Sequence, residues 1–343
     1  MSIYVSLPVH EAPLVVADQL ANFARFCPQA CVVLHVSRSG RLDEATLNAA
    51  LKSQGCDNFL INPAHESTRW GSIFRAHLSN IAFIRSRGDA SHICFHASND
   101  MLVAPGLRDH IARHGHGYNV RPITPGSYWW VSPKARADAE LDALCKRLGN
   151  CPLVGSQIEG AFYEADTLYE LADIANGAHP GVAGYPLEEV VFPTIAHAIR
   201  ATPRITPYVY SETHVFDRTY WRFLQEFEWL FGNNWKRARG LRHCVEYAFI
   251  KTPYYRLSPG MIRVIAQMSR GIPDSAVDDV RVARRLEKLQ WMNDGDSTWK
   301  VFDPHSLYGV KRVPRTLNNP LRDFIRQLPS ARALNAHERP ASS

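Results

Sequence analysis

Two patterns of apolar residues alternate along the first third of the chain. One is the short unbroken run, the other a recurrence at every third or fourth position. IYVSLPV, which reaches Pro8 and Val9, is a β-branched run of the kind that buries both faces of a strand. From Leu14 to Phe26 the residues Val15, Leu20, Phe23 and Phe26 keep helical spacing. CVVLHVS, from Cys31 to Ser37, predicts a second buried strand, and RLDEATLNAALKSQG an amphipathic helix that stops at Gly55. NFLIN predicts a third strand and HICFHAS a fourth. Between them RWGSIFRAHLSNIAFIRSRG carries Trp70, Ile73, Phe74, Leu78, Ile81 and Ile84 on one helical stripe.

Strand–helix alternation of this kind predicts a mostly parallel sheet with right-handed crossovers, hence an α/β fold. Ligands of such sheets sit beyond the carboxyl ends of the strands. Those ends are Val9-His10-Glu11, Ser37-Arg38-Ser39, Asn62 and Ser98-Asn99-Asp100, and most of them are polar. After Pro105 the pattern blurs through Pro122, Pro125 and Pro133. A helix is expected from Pro133 to Leu148, a strand–helix pair in EGAFYEADTLYELADI, and a helix opened by Pro186 and running to Ile199. YVYSETHVFD reads as strand and loop, followed by basic, aromatic helical segments and the stretch LYGVKRVPRTLNNPLRDFIRQL. The expected organisation is one domain over 1–328, with a nucleotide-binding half (1–115), an acceptor and catalytic half with C-terminal helices (116–328), and a flexible tail (329–343).

Composition narrows the classes. The 343 residues, 45% of them apolar and 8 of them Trp, support a sizeable core. A net charge of +6 accommodates an anionic ligand or an anionic membrane surface, and no Lys/Arg run interleaved with aromatics suggests nucleic acid. The 7 cysteines are odd in number and scattered, which argues against a disulfide framework and for a reducing compartment. Cys27 and Cys31 have no matching second pair, so zinc is not expected. The opening strand lacks a basic leader segment, and no window reaches the ~18 apolar residues of a membrane span. A cytoplasmic protein with peripheral contact to the inner membrane is the expectation. No Gly-x-Gly-x-x-Gly, phosphate-binding P-loop or Gly-x-Ser-x-Gly elbow occurs.

Several residues carry candidate chemistry. Glu188 and Glu189 stand directly against Val190, Val191 and Phe192. A carboxylate in apolar company is paired, neutralised or working. Either it answers the helix dipole, or it is a general base whose pKa the apolar wall raises. Neighbours on a helix point about 100° apart, so only one is expected to face a cleft. Asp100 stands alone in SND; with Ser98 and Asn99 beside it, it is a poor divalent-metal site and is expected to contact a ligand directly. Lys311, Arg312 and Arg315 form a basic run bounded by Tyr308, Val310 and Val313; it is either a solvated face or a phosphate site. His10, at a strand end, is placed to touch a ligand.

Six stretches in order resemble the core-2/I-branching β-1,6-N-acetylglucosaminyltransferase and peptide O-xylosyltransferase family. They are VHEAPLVVADQLANFARFCPQACVVLHVS, RWGSIFRAHLSNIAFI, ASNDMLVAP, GSQIEGAFYEADTLYEL, PLEEVVFPTI and LYGVKRV. The resemblance implies a GT-A-like fold and an inverting transferase that needs no metal or other cofactor. It moves a sugar from a UDP-sugar, carrying N-acetylglucosamine or xylose, to a hydroxyl of a glycan or lipid-linked glycan in bacterial surface polysaccharide synthesis. The Thr that follows the family's Glu by five residues selects Glu189 as base, with Thr194 in that place. By the same resemblance Lys311 holds the diphosphate; adjacency, not the resemblance, adds Arg312 and Arg315 to it. Asp100, Glu188 and Trp70 meet the donor sugar or acceptor, and Val9, His10 and Ser37 line the nucleotide. The chain departs from the family where Ser37 replaces an Asp, where Ser98-Asn99 stand without the Gly expected before Asp100, and where Pro186 falls one residue early. A non-catalytic glycan- or nucleotide-binding module on a degenerate transferase fold stands as the alternative.

Overall fold

The computed structural model describes residues 2–10, 12–40, 42–69, 71–177, 183–211 and 257–330. Trp70, the helical segments expected across 212–256, Cys244 and most of the expected tail lie outside the described residues. The six described cysteines are all free.

The predicted alternation builds a five-stranded sheet in the order β3-β2-β1-β4-β8. Strands β1 (Ser2–Val9), β2 (Ala30–Val36), β3 (Phe59–Ile61) and β4 (Ala90–Phe95) are parallel, while β8 (Phe162–Glu164) runs antiparallel on the edge beside β4. The α/β class and the mostly parallel sheet are those expected. Both faces of the sheet are covered, which is why the strands read as continuous apolar runs. On one side Val5, Leu7, Val32, Leu34 and Cys94 pack with α1 (Pro13–Phe26) and α2 (Glu44–Ser53). On the other, Tyr4, Val33, Ile93 and Phe95 pack with α3 (Ile73–Arg87), α7 (Ala165–Asn176) and α8 (Glu188–Ala198). The period-2 alternation of a strand sorts neighbours such as Val32 and Val33 onto opposite faces.

The helix expected from Pro133 to Leu148 is two: α5 (Ser132–Arg136) and α6 (Ala139–Arg147). Asp138 divides them by accepting from the amides of Glu140 and Leu141 as an N-cap. An antiparallel hairpin that the sequence reading did not anticipate, β10 (Trp291–Asp294) and β11 (Ser297–Lys300), turns at Gly295 with φ +70°. A side chain at Gly295 would collide with the carbonyl of Gly126, so the hairpin docks backbone to backbone on the loop before Trp129.

A second sheet of three two-residue strands crosses the chain. β12 (Gly309–Val310) lies between β5 (Met101–Leu102) and β9 (Val209–Tyr210). It brings the C-terminal basic run to the edge of the parallel sheet: the Lys311 amide donates to the Tyr210 carbonyl and the Val313 amide to the Asn99 carbonyl.

Candidate functional site

In the order β3-β2-β1-β4 the chain reverses direction of growth between β1 and β4, and a crevice opens at the carboxyl ends of such a pair. A cavity of about 460 Å³ lies there. Val9 and His10 from the end of β1, Ser37 from the end of β2, and Ser98 and Asn99 after β4 line it, and Arg315 closes one side. Beneath them a buried polar network is fully engaged. Ser6 Oγ meets His77 Nδ1 at 2.8 Å and accepts from Asn80 Nδ2 at 3.0 Å, while Asn80 also donates to the Val33 carbonyl. Burial pushes the His77 imidazole down to about 3, with His35 adding to the effect, so it sits neutral in the wall.

A second cavity, of about 270 Å³, adjoins the first. Glu188, Glu189, Lys311 and Arg312 all line it, together with Trp129, Trp130 and Trp299. The two cavities share Ile73, Glu159 and Glu188. Val9, His10, Ser37, Glu188, Glu189, Lys311, Arg312 and Arg315 are therefore gathered along one cleft, although they come from opposite ends of the chain.

Both glutamates of α8 face the cleft, where only one was expected to. The helix presents its first turn to the cavity, and an opening that wraps a helix terminus is reached by neighbouring positions. The local sequence holds this end in place. Pro193 has no amide hydrogen, so the carbonyl four residues earlier, that of Glu189, is left without its helical donor. The Ser156 amide fills that vacancy at 2.8 Å. Thr194 Oγ1 exchanges hydrogen bonds with the amide and carbonyl of Val154, fixing the next turn to β7 (Val154–Gly155), which pairs antiparallel with β6 (Arg121–Pro122) and leads into Ser156.

Glu159 was not singled out from the sequence, yet it lies at the junction. Its carboxylate pairs with Lys311 Nζ at 2.6 Å, and Gly160, at φ +81°, lets the chain pass against the Val209 backbone just behind it. Gln157 Nε2 ties the same loop to the carbonyls of Glu159 and Val209. The GSQIEG block carried this information; its partner Lys311 is too distant in sequence for spacing to reveal the pair. Arg312 adopts φ +68°, a left-handed conformation costly for a residue with a Cβ and often found where function holds it.

Charge is unevenly balanced in the cleft. Burial pushes the Glu188 carboxyl up to about 7, and Glu159 adds to it against the pull of Lys311. Burial works against the Lys311 ammonium, but Glu159, Glu189 and Asp100 together outweigh it and raise its pKa. Glu188 Oε2 and Glu159 Oε2 are buried without a hydrogen-bond partner among the described residues.

Asp100, expected to touch the ligand, lines neither cavity. It is fully buried below the floor, where Oδ2 accepts from the Ala97 amide at 2.9 Å and lies 3.3 Å from His96 Nδ1. Burial raises its pKa, with the His96 contact opposing. Its place is that of a turn residue shaping the segment that carries Ser98 and Asn99, because a short side chain after a strand satisfies its own loop first.

No protein-family model matches the chain and no curated protein sequence matches it. Among solved structures, the crystal structure of S. aureus TarS is similar at 14% identity over 88% of this chain and 61% of that one, with a TM-score of 0.36. A TarS structure spanning 1–349 is 15% identical over 58% of this chain and 55% of that one, with a TM-score of 0.34. The crystal structure of 4-diphosphocytidyl-2C-methyl-D-erythritol synthase is 14% identical over 55% of this chain and 92% of that one, with a TM-score of 0.32. The chain thus spans a little over half the length of the TarS structures it resembles. No helix among the described residues is long and apolar enough to cross a membrane.

Proposed function

We propose that the chain is an inverting glycosyltransferase that moves a sugar, N-acetylglucosamine or xylose, from a UDP-sugar to a hydroxyl of a bacterial surface glycan. The observation that carries the reading is the joined cleft. A cavity at the strand ends suits the nucleotide, a smaller one walled by tryptophans suits a sugar acceptor, and carboxylates and cations converge where they meet. The resemblance to the core-2/I-branching family, resting on six motifs, agrees with this use of the residues.

In the proposed reaction the acceptor oxygen attacks the anomeric carbon from the face opposite the diphosphate. The bond between that carbon and the β-phosphate oxygen breaks as the new one forms, which inverts the centre. Glu189 takes the hydroxyl proton, and Lys311 and Arg312 meet the charge that develops on UDP in place of a divalent metal. Glu188, with its carboxyl raised to about 7, keeps a protonated form in the neutral range, and that form donates a hydrogen bond to a sugar oxygen. Environments that separate neighbouring carboxyls in this way commonly divide acid from base. Val9, His10 and Ser37 hold the nucleotide, with Arg315 at its margin, and the lipid-linked glycan is the larger acceptor that the mild positive charge favours.

One observation favours a second assignment on the same reaction. A carboxyl near 7 at the junction of both cavities is itself suited to be the base, which would exchange the roles of Glu188 and Glu189. The test is UDP release with glycan acceptors for Glu189→Gln and Glu188→Gln, alongside UDP binding. Glu189→Gln is expected to lower turnover by roughly 10²–10⁴-fold with UDP affinity retained, and turnover is expected to survive EDTA. Loss in Glu188→Gln alone transfers the base to Glu188. Tight UDP binding without turnover across acceptors would identify a binding module instead.

A further inference from the structure

A third cavity, of about 670 Å³, opens away from the cleft residues and shares none of them. Its wall is the start of α4 (Leu107–His114), the end of the helix Pro259–Ser269, and Tyr308. The charge along it is one-sided: Arg108, Arg113 and Arg270 stand against the single carboxylate of Asp109. Some surface arginines are paired, as in Arg85 with Asp173, Arg75 with Glu66 and Arg263 with Asp278. Arg108 and Arg113 form no ion pair with a carboxylate among the described residues.

The floor is built for an acceptor of hydrogen bonds. Gly106, the N-cap of α4, is left-handed at φ +98° and has no side chain, so no side-chain cap closes the first amides of the helix. Those amides and the dipole behind them favour an anion. His110, only 4% exposed, lines the same cavity, and its Nε2 is buried without a hydrogen-bond partner. A buried orphan nitrogen costs free energy unless something visits it. Burial pushes the His110 imidazole down to about 3, with His114 and Arg113 adding to it, so it meets a visitor as a neutral group. The Tyr308 ring packs 4.9 Å from His110, and Tyr308 begins the segment that continues through β12 to Lys311.

We propose that this cavity is a phosphate site distinct from the cleft, in which Arg108 and Arg113 clasp a phosphomonoester or phosphodiester group over the uncapped amides of α4, with His110 and Tyr308 beneath it. A phosphate satisfies the excess of donors as no neutral ligand does. The group can belong to a water-soluble phosphoester or to a lipid headgroup, and the two sources separate experimentally.

The experiment is thermal unfolding of the full chain in inorganic phosphate against chloride at matched ionic strength. Phosphate at many times its dissociation constant is expected to raise the midpoint by about 2 °C. Lys311→Gln, which removes a cleft cation, should keep a rise, and in that background Arg108→Gln/Arg113→Gln should remove it. An equal response to chloride, a rise that survives the double substitution, or a rise lost in Lys311→Gln overturns the proposal. Should the double variant be poorly folded, a phosphate titration of wild-type amides decides: shifts at Leu107, Arg108 and Asp109 are expected, and their absence overturns it. Flotation with phosphatidylcholine vesicles, with and without phosphatidylglycerol, then names the source. Flotation that requires both phosphatidylglycerol and the two arginines assigns a lipid headgroup. Phosphate stabilisation without flotation assigns a soluble phosphoester.

Discussion

Two ion pairs, one buried and one partly buried, flank the cleft and are finished differently. Asp294 accepts from Arg121 Nε at 2.5 Å, Ser127 Oγ at 2.8 Å and the Tyr128 amide at 2.6 Å, so both of its oxygens are taken. The Arg121 guanidinium lies between the rings of Trp129 and Trp299, at 4.5 and 5.1 Å from their centroids. Glu159, by contrast, binds Lys311 through one oxygen and leaves the other without a partner among the described residues, as does its neighbour Glu188. A buried charge that is closed on every side holds structure, whereas one that keeps a lone pair open on a cavity wall, as Glu159 does and the submerged Asp100 does not, is available to a ligand. The first pair pins the hairpin to the cleft wall. In the proposed reaction the second would exchange Glu159 for the diphosphate of the donor.

Substitutions can break that contrast. Asp294→Ala strands the Arg121 cation, and the expected loss in urea unfolding is about 3–5 kcal/mol; a loss no larger than that of Glu159→Gln would erase the distinction. The titration of Glu188 comes next. Its folded pKa of about 7 exceeds the ordinary 4.5, so its contribution is fully present below 4.5 and is lost as pH rises through 7. Wild-type protein should thus lose up to about 3 kcal/mol across that window relative to Glu188→Gln. Parallel pH profiles of the two proteins would show the carboxyl to be ordinary. Glu159→Gln should cost about 1 kcal/mol or less, because Glu189 and Asp100 still surround Lys311. It should also tighten UDP binding in calorimetry; weakened binding would give Glu159 a positive role in holding the donor. Smallest of all, Arg85→Ala removes an exposed pair with Asp173 and should change stability by no more than about 0.5 kcal/mol.

Legibility in the sequence followed burial. Strands β1, β2 and β4 and helices α1, α2, α3 and α7 were readable because each buries a continuous run or a stripe, and periodicity records that directly. The two-residue strands β5 and β12 have no period to read and are defined by their pairing, whereas β9 falls in YVYSETHVFD, where a strand was expected. The hairpin Trp291–Lys300 did carry a local mark, Asp294-Gly295 at a turn between aromatic residues, and could have been found from it. Within the cleft, Glu188, Glu189, Lys311 and Arg312 were named from residue type and from family-like order, and they meet in one cavity. Glu159 and the engaged, submerged position of Asp100 were not, since each depends on a partner packed from elsewhere.

What the sequence determined by itself was the succession of elements, the two-sided burial of the sheet, and the inventory of acids and bases near its strand ends. Local forces set these: side-chain volume, periodicity and the absent amide of Pro193 act over a few residues. The tertiary structure alone decided which carboxyl is raised, which is paired and which lies beneath the floor. Desolvation and Coulomb interaction depend on distances in space, and Lys311 comes within 2.6 Å of Glu159 only once β12 has joined β5 and β9.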